Sequence, residues 1–247
     1  MKALKASYLN ELYKLSKKKK ITVCAVLIVA ATILGGIITS LFGNFMGISI
    51  MGRSAFVTVV LSVMNQTLIP LFTIFVCADM FAGEFSDRTM KQTLTRPASR
   101  GKVYLAKLLA AATFILGCLA LTFVAAGLLS FFLQTAAFSF FKVLLAYLVS
   151  AVPLFVFALL VSMLANLMKS SAATFLVSVI LFLLLSGLGL YFSSYQSFFF
   201  TAFFNWYNLF MGSYVNVSRI IRLFLIFAGS GTMFYGAGYY LFERKEL

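Results

Sequence analysis

Histidine is absent from this chain of 247 residues, and the acidic residues number only six. The first absence removes the commonest general base and the commonest metal ligand. An intramembrane metalloprotease would want His and Glu together, and a serine-type protease a Ser with a Lys or His partner at membrane depth; neither constellation is present. Cysteine is sparse too. Cys24, Cys77 and Cys118 each lie in an apolar stretch, with no disulfide framework and no metal-ligand spacing, so they are read as small hydrophobes facing neighbouring helices or lipid. Charge is scarce overall, at 11% of residues, which would leave a soluble domain of this size with too little polar surface.

What the chain has in abundance is apolar bulk, 62% of residues, with a mean hydropathy of +1.03. Lipid is therefore the solvent for most of it. Crossing about 30 Å of hydrocarbon takes about 20 apolar residues, and six runs qualify: 21–42, 55–81, 105–133, 143–167, 172–192 and 223–242. A helix satisfies its own backbone hydrogen bonds where water is missing, and the runs show no strict alternation, so helices are expected and a β-barrel is not. The fold class is thus an all-α integral membrane protein with six transmembrane helices. The first run follows the lysines at 17–20; it is too long for a signal-peptide core, which predicts a retained helix.

The formal charge of +14 sets up two readings, an anionic membrane surface or nucleic acid. Position decides. With the N-terminus inside, all of the Lys and Arg except Arg53, Lys142, Arg219 and Arg222 fall on the cytoplasmic side, the bias expected of cytoplasmic loops. Both termini are then cytoplasmic. The basic charge is a topology signal, and nucleic acid is not an expected partner, because no basic domain with stacking aromatics lies outside the membrane.

Leu4, Tyr8, Leu12 and Leu15 recur at helical spacing before the first run, with Lys2, Lys5, Asn10, Glu11 and Lys14 on the other side. That pattern predicts an amphipathic interfacial helix, either a plain anchor or an elbow that packs on the spans and shapes a docking surface. Between the second and third runs, the segment 83–102 reads GEFSDRTMKQTLTRPASRGK. Ser86 or Asp87 can cap a brief helix with Met90 and Leu94 on one side, Pro97 ends it, and Ser99 can cap the next helix. So short a helix needs something to pack against. Two motif matches are accidental: SRGK at 99–102 lacks the other elements of a penicillin-binding site, and GSGTMFYGAG at 229–238 follows no strand and lacks Gly-Lys-Ser/Thr. Within the latter, Ala228, Thr232 and Gly236 form a small-residue stripe suited to close helix contact.

Inside the spans, Asn65 and Gln66 precede Pro70, and they either bond between helices or line a pathway. Pro153 predicts a kink in the fourth span. Asp79, near the inner end of the second span, could relay a proton in an ion-coupled carrier or simply pair with Lys107 or Arg88. The stretch 193–218 is dense in aromatics, among them Phe203, Trp206 and Tyr207, and is either an external aromatic belt or a pair of short re-entrant helices that shape the outer end of a pathway.

The basic leader ELYKLSKKKK at 11–20, the six spans, and EFSDRTMK at 84–91 followed by LTRPASR at 94–100 resemble the permease subunit of a type 2 ATP-binding-cassette (ABC) exporter of bacteria, nearly end to end. The resemblance implies a single transmembrane domain whose cytoplasmic coupling helix, residues 87–94, docks in a groove of a separate ATP-binding subunit. Glu84, Asp87, Arg88, Met90, Lys91, Leu94 and Arg100 would form that docking surface. It implies two copies of the ATPase partner and a second permease chain, identical or related, in the cell membrane. This chain has no Walker-type loop, so it needs no cofactor, and ATP and magnesium belong to the partner. The short external loops point away from polysaccharide or protein cargo and toward amphipathic peptides, antibiotics or lipid-like molecules.

Overall fold

The computed structural model describes residues 2–46, 56–86, 99–132, 140–191, 204–211 and 216–245. The described residues are helical, with no strand among them. The helices are α1 (Lys2–Lys17), α2 (Lys19–Met46), α3 (Phe56–Gln66), α4 (Leu68–Ala78), α5 (Glu84–Ser86), α6 (Arg100–Phe132), α7 (Phe140–Leu167), α8 (Ser171–Tyr191), α9 (Asn208–Met211) and α10 (Val217–Arg244). Among the described residues, five stretches are long and apolar enough to cross a bilayer: the first part of α2, the composite Phe56–Ser86, α6, α7 and α10; the shorter apolar Ser171–Gly187 lies within α8. The architecture is that of an all-α membrane protein with about six spans.

The second span is a composite because of Pro70. Lacking an N–H, Pro70 cannot bond the carbonyl of Gln66, and the helix interrupts at Thr67 between α3 and α4. Bonds from the Thr67 N–H to the Val63 carbonyl (3.0 Å) and from the Leu71 N–H to the Thr67 carbonyl (3.4 Å) carry the chain across the break. At the other end of α4, residues Asp79–Gly83 form a π-helical turn before α5.

Helix α7 is the centre of the bundle, with α4, α6 and α10 packed along it. It runs through Pro153, whose missing N–H leaves the Val149 carbonyl without its usual helical donor. The Trp206 indole N–H supplies that donor at 3.1 Å. Lys245 closes the far end, its Nζ donating to the carbonyls of Ala165 (3.1 Å) and Met168 (2.9 Å). Where α10 meets α6 and α7, Gly238 is required: a Cβ there would lie 2.3 Å from the Tyr104 hydroxyl. The close-contact face of α10 is therefore Gly231 and Gly238. Ala228, Thr232 and Gly236, the stripe expected to make such contact, lie on the exposed side, because the bulky Leu223, Phe227 and Phe242 turn the opposite face inward.

Helix α1 lies against α6, with Leu15 buried and the Tyr8 hydroxyl 2.8 Å from Thr113 Oγ1. It joins α2 at Lys18, whose N–H bonds the Leu15 carbonyl and whose carbonyl accepts from Ile21. Cys24, Cys77 and Cys118 are buried and free.

Candidate functional site

Four charged side chains from three elements meet at one end, the foot, of the bundle. Helix α1 contributes Glu11 and Lys14, α5 contributes Glu84, and α6 contributes Lys107. Lys107 is fully buried, and its Nζ donates to Glu84 Oε2 at 2.6 Å, Glu11 Oε2 at 3.0 Å and the Met80 carbonyl at 3.0 Å. An ammonium has three donors, so this one is saturated. Lys14 Nζ donates to the other oxygen of each acid, Glu11 Oε1 at 3.0 Å and Glu84 Oε1 at 2.9 Å. The result is a closed, neutral ring of alternating charge. Burial by itself would lower the Lys14 pKa, but the Glu84 and Glu11 carboxylates outweigh it and hold the ammonium above its ordinary value.

The geometry rests on local helix shape. A π-helical turn is wider than an α-turn and re-aims the residues after it; the turn Asp79–Gly83 leads directly into Glu84, and its Met80 carbonyl also reaches Lys107. At the start of the same turn, Asp79 pairs with Lys18 and with Lys20, the latter at 3.2 Å. Lys107, one of the two partners expected for Asp79, is instead consumed by the ring, and Arg88 lies outside the described residues. The break between α1 and α2 at Lys18 places Lys18 and Lys20 against the second span. Helix α1 and its junction are thus fastened to both ends of the π-turn.

Of the residues predicted to dock a partner, Glu84 faces the ring interior with both oxygens on lysines, and Arg100 donates to the Glu243 carbonyl across the α6–α10 contact. Asp87, Arg88, Met90, Lys91 and Leu94 lie outside the described residues, as does the helix expected over 87–94. Ser99 stands at the start of α6, where its carbonyl accepts from Lys102 and Val103. Glu11 was expected on the polar outer side of α1 and is instead 3% exposed, because Lys107 draws it inward.

At the opposite end, the turn 204–207 inserts among the spans. Asn65, fully buried, donates from Nδ2 to the Phe204 carbonyl at 3.4 Å. Asn205 Nδ2 donates to Ser62 Oγ at 2.9 Å and the Tyr207 hydroxyl to the Thr58 carbonyl at 3.2 Å, so one face of α3 holds the whole turn. Phe204 packs on Phe157 and Phe182, and Trp206 on Phe227 with centroids 5.1 Å apart. These aromatics point into the bundle, away from the position of an interfacial belt. Gln66 is exposed, separated in role from its neighbour Asn65, and Phe203 is outside the described residues.

Sequence reasoning missed the ring as a site. The available signal was Lys107, a charge placed within an apolar run, where an ionisable residue needs a partner from another element.

The fold defines a multi-pass helical membrane protein. Residues 9–186, from α1 to α8, match the family described as ABC-2 family transporter protein. That match covers well over half of the chain, and this protein belongs to that family. Its members are membrane transport components that work with an ABC ATPase subunit and are not themselves enzymes. No curated protein matches the sequence. All four ring residues and the segment between α5 and α6 fall inside the matched region.

Proposed function

We propose that this chain is the permease of an ATP-driven exporter, moving an amphipathic peptide, an antibiotic or a lipid-like molecule across a bacterial cell membrane. In this reading both termini are cytoplasmic, residues 87–94 dock on the ATPase, two ATPase copies supply ATP and magnesium, and a second permease chain, identical or related, completes the pathway. The observation that carries the reading is the placement of the ion-pair ring. Glu84 precedes the docking segment by three residues and Lys107 follows Arg100 by seven on α6, so the elements on either side of the segment each carry a ring residue. A push on the segment is then delivered to α1, the second span and α6 together. The carrier reading gains nothing from Asp79, which two ammonium groups already hold.

Affinity purification of the chain from its native membranes, followed by mass identification, is expected to recover an ABC ATPase. The chain alone in detergent is expected to hydrolyse no ATP. Met90→Glu with Leu94→Glu should abolish stimulation of that ATPase; unchanged binding and stimulation in the double variant would refute the docking assignment.

A further inference from the structure

Helices α6 and α10 both lie along α7, and between them runs an open groove that the transport reading does not use. Two contiguous cavities of about 320 and 380 Å³ make it up, and they share Phe155, Val156, Phe227 and Ala228. Leu105, Leu109 and Leu116 form its α6 wall, while Ala228, Gly231 and Tyr235 form the α10 wall. Small side chains create the space: Ala112 and Ala151 stand where larger residues would fill it, and a Cβ at Gly231 would still find ordinary contact distances.

The groove has a polar end and a defined length. From Leu105 to Leu116 the α6 axis rises about 17 Å at 1.5 Å per residue, close to half of the ~30 Å hydrocarbon thickness. Lys102 lies one turn before Leu105 on the same face of α6, is exposed, and makes no ion pair with any described residue. Beside it the groove is closed: the Tyr239 ring lies against Gly101, where a Cβ would meet its Cε2 at 3.2 Å, and Arg100 bonds the Glu243 carbonyl. Among the described residues of α6 and the end of α10, Glu243 is the single acid against Arg100, Lys102, Arg244 and Lys245; the acids of the ring are already paired with lysines. Arg244 sits over the Tyr240 ring and Lys245 faces inward to α7.

A transmembrane helix from another chain would need a face through both leaflets. This groove extends through one, is lined by hydrocarbon, and ends beneath cations. We propose that it binds one acyl chain of an anionic phospholipid from the leaflet at the Lys102 end, with the phosphate held by Lys102 and Arg100. The occupant is a membrane lipid in the protein's own bilayer, bound as a structural ligand independently of the ATPase.

Native mass spectrometry tests this on the full chain in detergent, titrated with phosphatidylglycerol or phosphatidylcholine of identical acyl chains. Phosphatidylglycerol is expected to bind in preference. Lys102→Gln should weaken it about fivefold, the loss of roughly one surface cation, and leave phosphatidylcholine unchanged. Ala228→Phe, placed at an exposed position that opens into the groove, should weaken both lipids, and Ala112→Phe serves the same purpose if that variant does not fold. Equal binding of the two lipids to the natural chain would overturn the proposal. So would unchanged binding in the groove-filling variants, or loss of the preference on replacing Lys17 and Lys19 by Gln, which would place the lipid at the basic leader instead. Because no ATPase is present, failure here leaves the transport reading untouched.

Discussion

Lys107 spends all three of its ammonium hydrogens on protein oxygens, and that saturation is what makes a buried charge tolerable in an apolar bundle. Lys107→Met removes the charge but leaves Glu11 and Glu84 facing each other with Lys14 alone between them. The expected cost is about 3–5 kcal/mol of stability, the range for breaking a buried ion pair, and thermal unfolding of the purified chain measures it. Adding Glu84→Gln to Lys107→Met should return part of that loss, because Lys14 then faces one carboxylate charge instead of two. Trp206 plays a comparable role for the backbone. Its indole N–H occupies the carbonyl that Pro153 leaves open, so Trp206→Phe should cost about 1–3 kcal/mol, the penalty for an unpaired buried acceptor. In a Pro153→Ala background, where a backbone N–H is restored to Val149, the same substitution should cost less, and the double-mutant cycle reads the difference.

At the scale of elements, the contact of α10 with α6 and α7 turns on one glycine face. Gly238→Ala would drive a methyl into the Tyr104 hydroxyl, which is itself 3.1 Å from Ser162 Oγ and packed on Phe81 and Phe242. Displacing so enclosed a ring should cost about 1–3 kcal/mol. Gly236→Ala, two residues away and open to the surroundings, should be neutral or slightly stabilising, since alanine is the better helix former. Equal effects of the two substitutions in a thermal assay would contradict the assigned helix face. The second span shows the same dependence on single residues: Pro70 accounts for its interruption at Thr67, and the π-turn near its end aims Glu84 at Lys107.

For the whole molecule, the ring ties α1, the second span and α6 together at the foot of the bundle. Under the proposed function, Glu84→Gln should leave ATPase binding intact while reducing substrate-dependent stimulation of hydrolysis, because the docking segment is then less firmly tied to α6. Hydrogen exchange in α1 should rise in the same variant, as the Lys14 bond that holds it to the second span weakens. Loss of ATPase binding with unchanged exchange would assign Glu84 to docking rather than to transmission.

Much of this was legible in the sequence and some was not. The apolar runs announced the helices, since about twenty apolar residues in succession have few alternatives in lipid. The expected elbow does pack on a span, yet its polar face divides: Lys5 is exposed while Glu11 turns inward. Helical spacing predicts one stripe, but which neighbour draws a given side chain is a property of another element. Asn65 and Gln66 illustrate the limit, as adjacent polar residues of like character of which one is buried against Phe204 and the other is exposed. The same limit applies to the small-residue stripe on α10, where spacing alone did not distinguish Ala228, Thr232 and Gly236 from Gly231 and Gly238.

By itself the sequence determined the solvent, the helical class, the charge asymmetry and the family resemblance, because each depends on composition summed along a window or on residues close together in the chain. Only the tertiary structure decided which charges neutralise one another. Glu11 and Lys107 stand 96 residues apart, and Lys14 and Glu84 stand 70 apart. In a low-dielectric interior the energy of a charge is set by what lies within a few ångströms of it, and that proximity exists only once α1, the π-turn and α6 have packed together.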